Sequence, residues 1–393
     1  MSTGIVRPPA PNEVSPSSNG AVEIAPEPVD ENLGDQFALG PLIRDYVIPV
    51  ETNNIWYALG GVLAISLALE VVTGLLLALN YTPDAGKAYD ITASMLQSPT
   101  WSIVLNFHYW NAYVIFGLVM IHMLRVFISG GYRHGKQGLW TIGVLLAAFT
   151  FVISLTGEAL HWDEVGFGVP WNISEFLNAI GLTGVFNYTT DALLNIPTAT
   201  EKLSQLYAVH IAIVPILLIL LILMHYYLVK VKGISMPFWL KPSGRKAPFT
   251  EHIKVWMLYA TIIIGIVLLV SIFFKRDPGT APQLIQSSPI FNTDEDPGGL
   301  GFKPTFPISW TRGMNVIVAN LGIDPDIWGS VLGMVLMFGS ILVIPFLDRR
   351  TTEPRGWAAA FDLRKRGWAF SAMAIFWLIL ILGLVASAIT EAG

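Results

Sequence analysis

The chain has 393 residues, of which 53% are hydrophobic and only 13% are charged, with a formal net charge of −5 and a mean hydropathy of +0.57. Soluble domains usually carry about 25% charged residues, so this composition excludes an ordinary soluble protein and indicates an integral membrane protein. The chain has no cysteine, which excludes disulfides, cysteine-ligated iron–sulfur clusters, thiolate catalysis and thioether-linked cofactors.

The first forty residues differ in composition from the rest. They are rich in Pro, Ser, Glu and Asn and lack a basic segment followed by an apolar core. Residues 1–40 are therefore predicted to form a disordered tail and not a secretory signal. Residues 41–54 are predicted to form a short amphipathic entry segment at the membrane surface.

Seven apolar runs follow, each close to the roughly 20 residues that a transmembrane helix needs. We predict spans at 55–81, 103–130, 138–158, 204–230, 255–274, 327–347 and 367–389. The predicted fold class is an all-α integral membrane protein with seven transmembrane helices.

The distribution of charge predicts the orientation. Basic residues cluster in the loops after the second, fourth and sixth spans, whereas the loops after the third and fifth are more acidic. By the positive-inside rule the N-terminus is cytoplasmic and the C-terminus lies outside. The two long outer loops, about 45 and about 50 residues, are of a length that usually carries a function.

Four histidines form two pairs in the second and fourth spans. His108 and His122 are fourteen positions apart, and His210 and His225 are fifteen apart. Either step is about four helical turns, so the two imidazoles of a span face the same way and lie roughly 21–22 Å apart. His108 and His210 fall towards the outer face, and His122 and His225 towards the cytoplasmic face. Two such helices side by side would offer ligands for two six-coordinate haem irons, one near each face.

A single histidine in a membrane helix can simply hydrogen-bond to a neighbouring helix. Two matched pairs at matched depth are harder to explain in that way, because polar groups within the membrane are costly and tend to be functional. Imidazole suits iron, and two neutral histidines leave no open coordination position, which favours electron transfer over oxygen chemistry. A non-redox transporter would need substrate-site charges within its helices, and the histidines are read as the only ionisable groups there.

Four glycines repeat the period of the first histidine pair. Gly60 and Gly74 in the first span, and Gly143 and Gly157 in the third, are each fourteen positions apart. A missing side chain at those depths would let a flat macrocycle approach the backbone, although glycine also serves simply to pack membrane helices.

Arg125 follows His122 by three residues on the cytoplasmic side. It is predicted to meet a haem propionate, since arginine pairs well with carboxylates. The alternative is an interfacial arginine that extends its charge to the membrane surface.

Several motifs, in this order, resemble the cytochrome b family of quinol–cytochrome c and plastoquinol–plastocyanin oxidoreductases, and the b6 branch most closely. They are Asn54-Ile-Trp-Tyr-Ala-Leu-Gly-Gly61, His122-Met-Leu-Arg125, Gly130-Gly131, Leu155-Thr-Gly157, Trp162-Asp163, Pro215 five residues after His210, and Lys232-Gly-Ile-Ser235. The last three helices resemble the second part of the family, which b6-type complexes carry as a separate subunit. The resemblance implies a b6-like four-helix dihaem domain at 41–236 fused to a subunit IV-like three-helix domain at 237–393.

The departures from the family lie mainly on the outer side. Ala58 stands where b6 has the cysteine that tethers an extra haem, so no covalent haem is expected. The family's outer quinol motif is present only as Pro307, Ile308, Ser309 and Trp310, without its carboxylate. Quinol oxidation releases two protons, and a nearby carboxylate is the usual acceptor.

His161 is the candidate base of a rebuilt outer site, since imidazole titrates near neutral pH. The alternative is an interfacial polar residue without a catalytic role. On the inner side, a quinone-reducing site is predicted, with the alternative of a basic loop that faces lipid headgroups. Its residues are Lys230, Glu251, His252 and Lys254.

The resemblance implies a dihaem cytochrome b subunit of a quinol:cytochrome c-type (bc/b6f-like) oxidoreductase. It would bind two non-covalent b haems and quinone or quinol. His108 and His210 would hold the outer iron, and His122 and His225 the inner iron. The implied partners are a Rieske iron–sulfur protein and a c-type cytochrome in a homodimeric complex, and no nucleic acid is expected.

The implied location is the cytoplasmic membrane of a prokaryote. The alternative function is a cytochrome b conduit that links the quinone pool to another redox module, with a modified or idle outer quinol site.

Overall fold

The computed structural model describes residues 46–237, 243–279, 309–323, 325, 328–329, 332–348 and 360–392. In chain order its helices are α1 Ile55–Ala78, α2 Ala88–Gln97, α3 Pro99–Ser129, α4 Gln137–Ala159, α5 Glu164–Ala179, α6 Thr183–Phe186, α7 Thr190–Leu193, α8 Ile196–Lys232, α9 Phe249–Phe273, α10 Ser309–Asn320, α11 Leu332–Leu342, α12 Ile344–Leu347 and α13 Leu363–Ala392. The two strands are β1 Val47–Pro49 and β2 Lys246–Pro248.

Six helices of the described chain are long and apolar enough to cross a membrane: α1, α3, α4, α8, α9 and α13. These correspond to six of the seven predicted spans, so the chain is a multi-pass membrane protein. The predicted span at 327–347 contains the short apolar helix α11 and the single turn α12, while several of its residues lie outside the described part. The seventh crossing therefore stays a prediction.

Local sequence signals define the ends of the helices that carry the histidines. The side chain of Asn54 caps α1 by accepting from the backbone N–H of Trp56 at 3.0 Å. Helix α3 begins with Ser98 as its cap and Pro99 in its first turn, where a missing N–H costs nothing. It ends at Gly130, which is left-handed with a φ of 64°.

Helix α8 contains a π-helical turn at Val209–Ile213, which includes His210. Pro215 follows this turn and has no N–H to donate to the preceding carbonyls, so the regular hydrogen-bond ladder cannot continue there. Such turns re-aim a side chain relative to a regular helix and are common at functional sites.

The entry segment is partly a strand. Val47–Pro49 pairs antiparallel with Lys246–Pro248, with Val47 opposite Pro248. Residues 41–45 of the predicted amphipathic segment lie outside the described residues. The strand pair joins the start of the described chain to the entry into α9.

The packing places α9 beside the first two membrane helices. Leu59 and Val62 of α1, Leu118 of α3 and Ala260 of α9 share one buried cluster. Helix α4 packs against α8, and α1 packs against α3. The histidine-bearing helices α3 and α8 are therefore each held by a glycine-bearing helix.

The C-terminal helices pack on α3 and α4. Phe127, Trp140, Trp310 and Phe376 belong to one buried core that includes residues of α3, α4, α10, α11 and α13. The indole N–H of Trp140 donates to the carbonyl of Ile341 at 2.7 Å. The domain boundary near residue 237 stays a prediction, because this core joins residues from both sides of it.

A buried ionic network fixes the C-terminal end of α3. Asp348 accepts from Tyr132, Arg133 and Arg366. Arg366, which is 2% exposed, also donates to the carbonyl of Phe127 at 2.7 Å. Buried charges are tolerated when they are paired and hydrogen-bonded, and these arginine contacts satisfy carbonyls that the end of a helix leaves open.

Candidate functional site

The rings of the two outer histidines lie close together. The ring centroids of His108 and His210 are 6.3 Å apart, with an angle of 77° between the ring planes. A metal bound between two imidazole nitrogens at about 2 Å each would separate the centroids by about 6 Å. The two rings therefore stand at the separation that a shared metal requires.

The Nδ1 atoms of the outer pair are engaged by the protein. His108 Nδ1 is 3.0 Å from Thr73 Oγ1 and 3.3 Å from Glu70 Oε1. His210 Nδ1 is 3.0 Å from the carbonyl oxygen of Ile153 and 3.2 Å from Thr156 Oγ1. Because a carbonyl can only accept, Nδ1 of His210 carries the proton, which leaves Nε2 with the lone pair for a metal.

Each of the four glycines faces one histidine. A β-carbon on Gly74 would lie 3.0 Å from Cε1 of His108, and one on Gly157 would lie 2.7 Å from Cε1 of His210. At Gly60 and Gly143 the corresponding distances, to Cε1 of His122 and of His225, are 3.5 Å. The matching spacings of the glycines, fourteen residues, and of the histidines, fourteen and fifteen residues, thus reflect direct pairing between helices.

A cavity of about 250 Å³ opens between the outer histidines. Most of its lining is apolar, from α1, α3, α4 and α8, and His108, His210, Gly74 and Gly157 all line it. An apolar cavity with a few polar groups is typical of a cofactor site. A pair of opposed imidazoles fits a metal whose remaining ligands come from a macrocycle.

The two inner histidines also face glycines, but fewer protein groups contact their imidazole rings. Gly60 faces His122 and Gly143 faces His225. The Nδ1 atom of His122 is buried and has no hydrogen-bond partner within the described part of the chain, whereas His225 lies within hydrogen-bond reach of the backbone carbonyl of Leu139.

Arg125 lies on the same side, with its guanidinium carbon 3.6 Å from the ring centroid of Tyr57. One of its terminal nitrogens is buried and finds no hydrogen-bond partner in the described ranges. A buried cation with an open donor fits an anionic group such as a carboxylate, which favours the predicted propionate contact over a snorkelling arginine.

His161 lines the outer cavity together with His108. Its ring is 6.2 Å from that of Tyr109 and lies within hydrogen-bond reach of the backbone carbonyl of Glu158. Burial, and then the positive charge of Arg276, lower the pKa of His161 well below its ordinary value. The ring is therefore neutral at physiological pH.

The interpretation of the histidines as the only ionisable groups within the helices is wrong. Glu70 lies inside α1 with its side chain 13% exposed, and it lines the outer cavity. Its Oε2 accepts from Asn111 Nδ2 at 2.6 Å. In the sequence, Glu70 could have been noticed as a single acidic residue, four positions before Gly74, in a span with a mean hydropathy of 2.2.

Sequence reasoning also missed an ionic cluster beside the cavity of His108 and His210. Arg276 donates to Glu158 Oε1 at 3.1 Å and to Asp163 Oδ2 at 2.8 Å, and all three side chains are buried. Its backbone N–H donates to Asn106 Oδ1 at 2.6 Å. Glu158 also lines the cavity, so a carboxylate is present beside His161 even though the motif at 307–310 has none.

The predicted outer quinol motif lies apart from this cavity where it is described. Pro307 and Ile308 lie outside the described residues. Ser309 begins α10, and Trp310 is fully buried with its ring 5.7 Å from Phe151. Neither Ser309 nor Trp310 is among the residues that line the cavity.

The predicted inner quinone residues divide into two groups. Lys230 Nζ is 5.1 Å from the ring centroid of Phe249, and the buried His252 packs against the same ring and hydrogen-bonds through Nδ1 to Asn53 Oδ1 at 3.2 Å. Lys230 Nζ is buried without a hydrogen-bond partner as far as the chain is described. Glu251 and Lys254 instead pair with each other at 2.6 Å on the surface.

Residues 43–233 match the family model described as cytochrome b/b6/petB. Curated relatives include cytochrome b6 of Gracilaria tenuistipitata var. liui, 26% identical over 210 residues that make up 53% of this chain and 96% of the relative. Cytochrome b6 of Gloeobacter violaceus is 27% identical over 210 residues, with 53% and 95% covered. Cytochrome b6 of Heliomicrobium gestii is 26% identical over 198 residues, with 50% and 92% covered.

Among solved structures, a chain of a "Hyperthermophilic respiratory Complex III" matches with a TM-score of 0.66 and 19% identity. The match covers 92% of this chain and 95% of that chain, so the shared fold extends beyond the region of sequence similarity. The family-model match over residues 43–233 confirms the resemblance of the first half of the chain to cytochrome b/b6.

Proposed function

The chain is of the cytochrome b/b6 type over residues 43–233, and from this premise we propose that it is the dihaem cytochrome b subunit of a quinol:cytochrome c-type oxidoreductase. In this role it carries electrons across the membrane between an outer quinol site and an inner quinone site. Catalysis requires partner subunits, for which a Rieske iron–sulfur protein and a c-type cytochrome are proposed, in a homodimeric complex.

One observation carries the proposal. His108 and His210 oppose each other at 6.3 Å between ring centroids, beside a cavity, with their Nδ1 atoms engaged by protein groups. This arrangement supports bis-histidine ligation of a non-covalent b haem, which supplies reversible one-electron transfer when bound. The glycine frame around His122 and His225 supports a second such site at the inner face.

The remaining residues are proposed to orient ligands and to move protons at the two ends. At the outer end His161 and Glu158 stand beside the cavity as candidate proton acceptors for a quinol. At the inner end Arg125 would hold a propionate, while Lys230 and His252 around Phe249 would bind a quinone.

The proposed placement is the cytoplasmic membrane of a prokaryote, with seven crossings, the N-terminus inside and the C-terminus outside. The proposed division is a tail at 1–40, a dihaem domain at 41–236 and a three-helix domain at 237–393. The match of 92% of the chain to a single chain of a respiratory complex supports a fused arrangement of the last two.

Spectroscopy of the purified protein tests the proposal. The reduced-minus-oxidised spectrum is expected to show two b haems, with His108→Asn and His122→Asn each removing one. His134→Asn is the control, because His134 lies in a loop with a positive φ of 56° that asparagine tolerates. A wild-type protein without any haem signal would refute the proposed function.

A second candidate is a cytochrome b conduit between the quinone pool and another redox module, with an idle outer site. The burial of Trp310 in the helical core, away from the cavity, favours it. Assays of quinol:cytochrome c activity with and without outer-site inhibitors separate the two. Inhibitor-sensitive turnover supports the oxidoreductase, whereas its absence in a complex with both haems supports the conduit.

A further inference from the structure

Glu70 is an acidic residue in the middle of an otherwise uncharged membrane helix, α1. A carboxyl group at such a position is costly and is usually kept for a function. Its side chain is 13% exposed and points to the outer histidine pair, not to the membrane surface.

Both oxygens of Glu70 are placed by side chains of α3. Oε1 lies 3.3 Å from His108 Nδ1, and Oε2 accepts from Asn111 Nδ2 at 2.6 Å. Asn111 is fully buried and also donates to the carbonyl of Ser66 at 3.0 Å, which ties α3 to α1 one turn below. The carboxyl group is thus held in one orientation towards the histidine.

Thr73 completes the surroundings of the same nitrogen. Its hydroxyl lies within hydrogen-bond distance of the carbonyls of Leu69 and Glu70, at 2.9 and 3.1 Å, to which it can only donate. Its oxygen is then left to accept from Nδ1 of His108 at 3.0 Å. Since Nδ1 hydrogen-bonds to this acceptor and lies 3.3 Å from the carboxyl group of Glu70, it carries the proton, and Nε2 is the nitrogen left for a metal.

The contact distinguishes one histidine from the other three. His210 Nδ1 meets the neutral oxygens of Ile153 and Thr156. His122 has no hydrogen-bond partner at Nδ1 among the residues that are described, and His225 lies within hydrogen-bond reach of the neutral backbone carbonyl of Leu139. Of these four histidines, and within that part of the chain, only His108 has its Nδ1 in contact with a carboxyl group.

We propose that Glu70 is a positioning residue that fixes the tautomer of His108 and lowers the reduction potential of the outer haem relative to the inner haem. This inference rests on the proposed function. A carboxyl group beside the nitrogen that does not bind the metal makes an imidazole ligand more electron-rich, and such a ligand stabilises the oxidised iron. A lower potential of the outer haem would favour electron flow from the outer to the inner site.

Redox titration of the two b haems in purified protein tests this inference. Glu70→Gln is expected to raise the midpoint potential of the outer haem and leave that of the inner haem unchanged. Thr73→Val, which removes a neutral acceptor, is expected to raise it less. Asp90→Asn is the matched control, because it removes an exposed carboxylate of the short helix α2 and is expected to shift neither potential.

Unchanged potentials in Glu70→Gln with both haems retained would overturn the inference, and so would an equal shift of both haems. If Glu70→Gln loses the outer haem, the potential of Glu70→Asp tests the inference instead. This variant keeps a carboxyl group but withdraws it from the 3.3 Å contact. A raised outer potential in Glu70→Asp supports the inference, and an unchanged one overturns it. Absence of haem from the wild-type protein would instead refute the proposed function, on which the inference depends.

Discussion

His210 lies so close to the backbone of Gly157 that a β-carbon there would be 2.7 Å from Cε1 of the imidazole. Real side-chain contacts of this kind do not occur at that distance, so any larger residue must displace the ring or helix α4. Gly74 and His108 repeat the relationship at 3.0 Å, whereas the two inner glycines leave 3.5 Å, an ordinary van der Waals contact.

The contacts between glycines and histidines predict that alanine substitutions will affect the outer and the inner haem differently. Gly157→Ala and Gly74→Ala are expected to reduce the content of the outer haem, because the added methyl group displaces His210 or His108. Gly60→Ala and Gly143→Ala are expected to retain the inner haem. The measurement is the haem content of each purified variant from its reduced spectrum.

Gly117→Ala is the control for these variants, since a β-carbon there has no atom within 4 Å among the described residues. Equal loss of haem from Gly117→Ala and Gly157→Ala would mean that glycine is needed for the helices themselves and not for the histidines.

The cluster around Arg276 predicts a large loss of stability. Arg276→Gln leaves the buried carboxylates of Glu158 and Asp163 without their cation. Breaking a buried pair by removing one partner costs about 3–5 kcal/mol. Thermal unfolding in detergent measures the effect, with Lys275→Gln as the control because Lys275 is the exposed neighbour. An unchanged Tm in Arg276→Gln would show that water or bound ions neutralise the two acids.

Arg366 is expected to contribute as much to stability as Arg276. Arg366→Leu removes donors from the buried Asp348 and from the carbonyl of Phe127 at the end of α3. The expected destabilisation is again about 3–5 kcal/mol, measured as a fall in Tm. Lys365→Leu changes the exposed neighbouring cation and is expected to have little effect. A similar fall in both variants would assign the effect to general charge at the start of α13.

His161 predicts a pH dependence of quinol oxidation. Its neutral ring is the form that can accept a proton, and its pKa is lowered by burial and by Arg276. Because the base stays unprotonated to lower pH than free imidazole, the acid limb of the rate profile is expected well below the ordinary histidine pKa of about 6.5. His161→Asn is expected to lower kcat by about 100-fold or more and to remove that limb.

The control for this prediction is His134→Asn, which alters a histidine of a different loop. A pH profile of His161→Asn that matches the wild type would remove His161 from the mechanism. Glu158, which lines the same cavity, would then be the acceptor to test.

Much of the fold was accessible from sequence because its signals are local. The apolar runs predicted six of the helices that the structure contains, and Asn54, Pro99 and Gly130 define helix ends through backbone chemistry. The run at 327–347 was less informative: its described part is a short helix followed by a single turn that begins at Ile344 and has Pro345 within it.

The sequence by itself determined the pairing period of histidines and glycines, because residues fourteen or fifteen apart on one helix must share a face. Only the tertiary structure decided what surrounds each imidazole, since the rotation and depth of one helix against another depend on packing across the whole molecule. The contact of Glu70 with His108 joins α1 to α3, and the cluster of Arg276 with Glu158 joins residues 118 positions apart. Such contacts leave no periodic pattern in the sequence. They give the two histidine pairs different surroundings.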